Sequence, residues 1–211
     1  MDQSRLLLMR HAETSAPEFF HGAESDIGLS DWGYTQARQV AQFLRTQAPS
    51  TQAVYSSGMR RAIETARPIA EIFSLAPQML EPLHERKIGP LSGLPRDKGW
   101  AVYSEVKARW IAGDLDATHP GGESYDDMRR RVVPVIEELV ARHRNQTVVV
   151  VAHGVVVRII LCSLLPDLSP ARFDSVAIDF ASINDLRFDG DRWRADRLNW
   201  VVSPSESKPV A

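Results

Sequence analysis

The chain has 211 residues, with 25 Lys and Arg against 27 Asp and Glu, six His and 44% apolar residues. That length sets the expectation of one ordinary domain, and a net charge of −2 argues against holding nucleic acid or an anionic membrane by bulk electrostatics, which needs a basic face. A single cysteine, Cys162, excludes an internal disulfide framework and a Cys-based zinc cluster. The first apolar run, residues 6–9 behind Arg5, is too short for a secretory leader, so a cytoplasmic location is the expectation.

Short aliphatic runs alternate with helix-length amphipathic segments, the pattern of an α/β protein: a three-layer α/β/α fold with a mostly parallel central sheet. Residues 5–9 predict a first strand. Over 33–46, Tyr34, Ala37, Val40, Ala41 and Leu44 recur near a 3.6 period and predict a helix with one buried face. A second short strand is predicted over 53–56, then a helix over 58–73 that carries Arg60 and Arg61 in its first turn and Pro68 as a kink or break. From 81 to 122 there are four prolines and six glycines, and only 100–112 reads as a helix. Residues 86–120 are therefore expected to form a small helical and loop insertion.

Regular structure resumes at Ser124, which with Asp127 three residues on forms a capping box. Tyr125, Met128, Val132, Ile136, Leu139 and Val140 mark one face of the helix that follows. Residues 148–152 are apolar without alternation, as in a strand covered on both faces, and 154–165 predict a helix stopped by Pro166. The whole run 148–165 has the length of a membrane span but contains His153, Gly154 and Arg158, which favours a buried strand and helix. Further strands are expected over 175–178, 184–188 and 197–201, with a hairpin turn at Asp189-Gly190. The tail 203–211 is polar and expected to be disordered, so that the domain spans 1–202.

Two predicted strands end in a histidine: 5–9 runs into Arg10-His11, and 148–152 into His153-Gly154. In an open α/β sheet ligands bind beyond the carboxyl ends of the strands. Neighbouring strands would bring His11 and His153 to one crevice, and the strand 53–56 would deliver Ser57 and the Arg60-Arg61 pair to the same edge. Guanidinium forks match phosphate oxygens bidentately, so this constellation suits a phosphoryl group. A metal site is the competing reading of six histidines, but no close ligand spacing is present and arginines beside the cluster would repel a cation. Neither metal nor cofactor is expected.

At these residues the sequence resembles the histidine phosphatase superfamily, which includes the cofactor-dependent phosphoglycerate mutases. Leu8-Met9-Arg10-His11-Ala12-Glu13-Thr14 is similar to its Arg-His-Gly-Glu-Thr signature, with Ala12 where glycine is usual. Asp26 to Ala37, Tyr55 to Ala66, Leu83-His84-Glu85, Pro120 to Ser124 and Val151 to Gly154 follow in the family's order. The resemblance implies a phosphoglycerate mutase-like fold with His11 as the nucleophile that becomes a phosphohistidine. It further implies Arg10, Arg61 and His153 on the phosphoryl oxygens, and Glu85 as the proton donor to the leaving oxygen. Thr14 and Gly154 join them as phosphate-binding candidates, and His21, in the least family-like loop, is a candidate substrate contact with a plain loop histidine as its rival reading.

Residues 85–94 are similar to the mutases' Glu-Arg-x-Tyr-Gly-x-Leu-x-Gly-Leu, which favours a mutase. The insertion with paired arginines that closes over the mutases' bisphosphate has no counterpart between Pro95 and His119, and a phosphatase must admit water. The expectation is a metal-independent phosphomonoesterase acting on a small phosphorylated metabolite, with a mutase as the alternative and a non-catalytic phospholigand sensor as a remote one. A homodimer is expected on base rates alone.

Overall fold

The computed structural model describes residues 3–202; the expected disordered tail lies outside them. A six-stranded sheet runs in the order β3-β2-β4-β1-β5-β6, with β1 Ser4–Arg10, β2 Thr51–Ser56, β3 Gln78–Met79, β4 Thr147–Ala152, β5 Ile183–Phe188 and β6 Trp193–Trp200. The first four positions are parallel, and β5 and β6 are antiparallel to their neighbours.

Alternation along the central strands sorts the core into two layers. Leu6, Leu8, Val148 and Val150 point to one face and pack with helices α4 (Tyr125–Arg142) and α5 (Gly154–Leu164). Leu7, Met9, Val149 and Val151 point to the other, against α1 (Asp31–Gln47) and α2 (Arg60–Ile72). The continuous aliphatic run of β4 follows from this cover on both faces.

The helix signals act as read. Ser30 accepts the Gly33 N–H at the start of α1, and Ser124 and Asp127 close a reciprocal capping box on α4. Leu165 caps α5 just before Pro166. Pro68 does not break α2, which runs on to Ile72. The 189–192 loop between β5 and β6 is tied by the Asp189 carboxylate, which accepts the Asp191 and Arg192 N–H groups, while Gly190 supplies a φ of +103°.

Two readings need correction. The expected strand over 175–178 is not one: a 3-10 segment, Pro170–Ser175, leads into irregular chain. Its Val176 and Ile178 are buried against the core from a loop, so an apolar pair mimics a strand. Conversely, β3 is a two-residue edge strand, too short for any periodicity to register.

The segment 86–120 builds a cover over one end of the sheet. It holds α3, Arg96–Ile111, four residues longer at its start than the apolar pattern predicts. Phe20, from the loop between β1 and α1, packs against Ile88 and Leu91 in a small separate cluster, and Phe19 bridges to Pro95. Glu24 accepts the Ile88 and Gly89 N–H groups. Gly22 makes this close approach possible, since a Cβ there would lie 2.8 Å from the Arg86 carbonyl oxygen.

Candidate active site

Adjacent parallel strands β1 and β4 pair Arg10 with Ala152, and the His11 N–H continues the ladder by donating to the Ala152 carbonyl. The following residues, His11 and His153, therefore meet at the carboxyl edge with ring centroids 5.2 Å apart. A cavity of about 260 Å³ opens there, lined by Arg10, His11, Thr14, Glu85 and Gly154 among others. That volume lies just below the usual range for ligand pockets, which suits a small ligand.

His11 is 5% exposed. Its Nδ1 lies 2.8 Å from the Ala12 carbonyl oxygen, which can only accept, so Nδ1 carries the proton and Nε2 keeps the lone pair. Burial, with the Arg61 and Arg10 charges, pushes its pKa well below the ordinary histidine value, so the ring is neutral near pH 7. The Ala12 N–H donates to Thr65 Oγ1, whose hydroxyl in turn donates to the Arg61 carbonyl. This links the β1 loop to the first turn of α2. Thr14 is buried and bridges to Leu29.

His153 is fully buried and 2.7 Å from Ser57 through Nε2. Ser57 Oγ also accepts from the Met59 N–H, and His153 Nδ1 is buried with no partner in the protein. Burial first, then Arg61, His11 and Arg10, lower the His153 pKa well below its usual value. Gly154 opens α5, so the free N–H groups of that helix face the cavity.

The adjacent arginines differ in burial. Arg60 is exposed and pairs with Glu64, whereas Arg61 is 1% exposed and donates both terminal nitrogens to the Ser25 and Gly22 carbonyls, leaving Nε without a partner. Arg10 lies over the Phe180 ring at 3.9 Å, donates Nη1 to the Ile178 carbonyl and also leaves Nε free. Burial brings the Arg10 pKa down to about 10, and lowers that of Arg61.

Glu85 is 9% exposed, lines the cavity and accepts the Arg86 N–H on one carboxylate oxygen. Arg131 of α4 fixes it from behind: its guanidinium pairs with Glu123 and donates to the Pro82, His84 and Glu85 carbonyls. His21 also lines the cavity, but both ring nitrogens are engaged inside its own loop, with Ser25 Oγ and the Ala16 carbonyl. It therefore offers a substrate its ring rather than a free nitrogen. Sequence reasoning missed Ser57 as a site residue, and also Arg86, Arg96, Lys107 and Arg158, which line the cavity from the insertion and α5. Among the described residues no group of three or more His, Cys, Asp and Glu is placed to hold a metal ion, and no helix is long and apolar enough to cross a membrane.

A neutral histidine with one lone pair, ringed by buried donors at the end of a parallel sheet, defines a class of α/β enzyme that handles a small anion. The comparison with known families is specific. The model of the histidine phosphatase superfamily (branch 1) matches residues 6–201, and the chain belongs to that family. Phosphoserine phosphatase 1 of Hydrogenobacter thermophilus is 35% identical over 197 residues, covering 92% of each chain. Phosphoglycerate mutase-like protein 4 of Arabidopsis thaliana is 32% identical over 198 residues, covering 92% of this chain and 84% of its own. A mycobacterial glucosyl-3-phosphoglycerate phosphatase solved with VO3 superposes with a TM-score of 0.81 at 30% identity, covering 92% of this chain and 98% of that one.

Proposed function

We propose that the protein is a phosphomonoesterase that hydrolyses a small phosphorylated metabolite through a phosphohistidine on Nε2 of His11. One observation carries the reading: the neutral His11 lies among three buried nitrogens without partners, Arg10 Nε, Arg61 Nε and His153 Nδ1. Leaving such groups unmade is costly, and a phosphoryl group completes all three.

In the first step the Nε2 lone pair attacks phosphorus and the ester P–O bond breaks. Glu85, protonated, gives its proton to the leaving alkoxide. Arg10, Arg61 and His153, with the Gly154 N–H, meet the charge spread over the equatorial oxygens without reorganisation. In the second step water attacks the phosphohistidine, the Glu85 carboxylate takes a water proton, and the N–P electron pair returns to His11. Inorganic phosphate then leaves. Thr14 and the His21 ring shape the wall of the pocket.

Hydrolysis rather than mutase chemistry is supported by the cover, where 96–118 supplies one helix and no paired arginines with a proline run, and by the phosphatase names of two relatives. Purified protein is expected to release phosphate from a generic aryl phosphate, to keep doing so in EDTA, and to lose roughly 10⁴-fold or more in His11→Ala. With 3-phosphoglycerate and 2,3-bisphosphoglycerate it should form no 2-phosphoglycerate. Full activity in His11→Ala, or inactivation by the chelator, would contradict the mechanism; accumulation of 2-phosphoglycerate would make it a mutase.

A further inference from the structure

We infer that the substrate's leaving group carries a second anionic function, a carboxylate or another phosphate, and that Arg96, Arg158 and Arg86 read it. The inference rests on the phosphomonoesterase reading and narrows its substrate class.

The three side chains share one arrangement. Arg86 donates Nε to the Glu123 carbonyl at 2.9 Å, Arg96 donates Nε to the Pro17 carbonyl at 3.0 Å, and Arg158 donates Nε to the Val176 carbonyl at 3.0 Å. Each guanidinium is thus anchored on its inner edge, and no hydrogen bond or ion pair holds its two terminal nitrogens. For Arg86, which is 0% exposed, neither terminal nitrogen meets a partner at full hydrogen-bond geometry, and the Tyr103 hydroxyl is the neighbour that interacts with the guanidinium. All three line the cavity. Arg10 and Arg61 are held the other way round, by terminal nitrogens: Arg61 has both engaged and keeps only Nε for a ligand, while Arg10 has Nη1 engaged.

A fork of two terminal N–H groups is the geometry that takes a carboxylate or phosphate bidentately. Charge counting leads to the same place. Lys107, the remaining cation of the lining, is already paired with Asp174 at 2.8 Å. That leaves the four guanidiniums of the lining, Arg10, Arg86, Arg96 and Arg158, against a phosphoryl dianion, with Glu85 holding the proton for the leaving group, so two positive charges find no counter-charge unless the leaving group brings it. The placement suits a reader of the alcohol side, since Arg96 comes from α3 of the cover and Arg158 from α5, while His11 and His153 come from the sheet.

The test compares glycerol phosphate with 3-phosphoglycerate, which has a carboxylate in place of a hydroxymethyl group, and with 2,3-bisphosphoglycerate. Dissociation constants are measured by calorimetry on the His11→Ala protein, which cannot turn over, at constant ionic strength. At least one of the acids should bind about tenfold or more tighter than glycerol phosphate, and whichever does so tells carboxylate from phosphate. Adding Arg158→Met or Arg96→Met should shrink that preference to within about threefold, and Arg158→Lys should restore part of it. Equal affinity for all three ligands, or a preference unchanged in both Met variants, would overturn the inference. Preferential binding without hydrolysis by the unsubstituted protein would uphold it and sink the hydrolase reading instead.

Discussion

Arg131 and Arg158 are both half-buried arginines on helices that cover the same face of the sheet, and they are treated in opposite ways. Arg131 is saturated, with a Glu123 pair and three backbone carbonyls. Arg158 has one carbonyl and an unused fork. The contrast holds across the described residues: Arg5, Arg131 and Arg187, shielded from solvent but away from the ligand, are ion-paired. Arg10, Arg61, Arg86, Arg96 and Arg158, equally shielded, have no carboxylate within ion-pair distance. Elsewhere in the fold a shielded cation is compensated; at the proposed site it is left without a carboxylate, at a cost in stability.

The largest effect that should expose this difference is kinetic. Arg10→Met and Arg61→Met should each lower kcat for an aryl phosphate by roughly 10²- to 10³-fold, yet each should cost the ligand-free protein less stability than Arg131→Met, since they release one and two carbonyls and strand no carboxylate. A large loss of Tm would mean that these side chains serve the fold rather than the phosphoryl group. Next comes stability. Arg131→Met strands Glu123 and three carbonyls and should cost about 3 kcal/mol in denaturant unfolding, whereas Arg158→Met should cost almost nothing. Equal losses would erase the distinction.

The smallest effect is in pH. His11 and His153 resist protonation because they are buried beside guanidiniums. The unfolded chain takes up protons near the ordinary value of about 6.5 while the folded chain does not. Their contribution is therefore fully present above that pH and is lost as pH falls toward the lowered folded values. Thermal melts between pH 7.5 and 5 should show this decline in the unsubstituted protein and a shallower one in His11→Gln. Parallel curves would remove the electrostatic argument for a neutral nucleophile.

The placement of the proposed reactive residues is legible in the sequence because it is local. His11 and His153 end aliphatic runs, and a strand end fixes where the next residue goes, so the sheet order alone brings them together. Arg61, not Arg60, turns inward as the motif spacing implies. The fold was readable for the same reason, through the unbroken apolar run of β4 and the capping box at Ser124. The recognition part is not local. Arg86, Arg96 and Arg158 come from the cover and a core helix and carry no shared spacing. Their common feature, an Nε held by a distant carbonyl, depends on Glu123, Pro17 and Val176 being where the chain packs them. Val176 and Ile178 also explain the mistaken strand, since burial in a loop leaves the same apolar signature as burial in a sheet.

The most direct test of the account is to quench the protein during turnover of a phosphomonoester and locate the bound phosphoryl group by mass spectrometry and by phosphorus–proton NMR. The account predicts an acid-labile, alkali-stable adduct on Nε2 of His11, the nitrogen left free by the bond between Nδ1 and the Ala12 carbonyl. An adduct on any other residue, or rapid turnover with no phosphohistidine even when Glu85→Gln slows its hydrolysis, would contradict it.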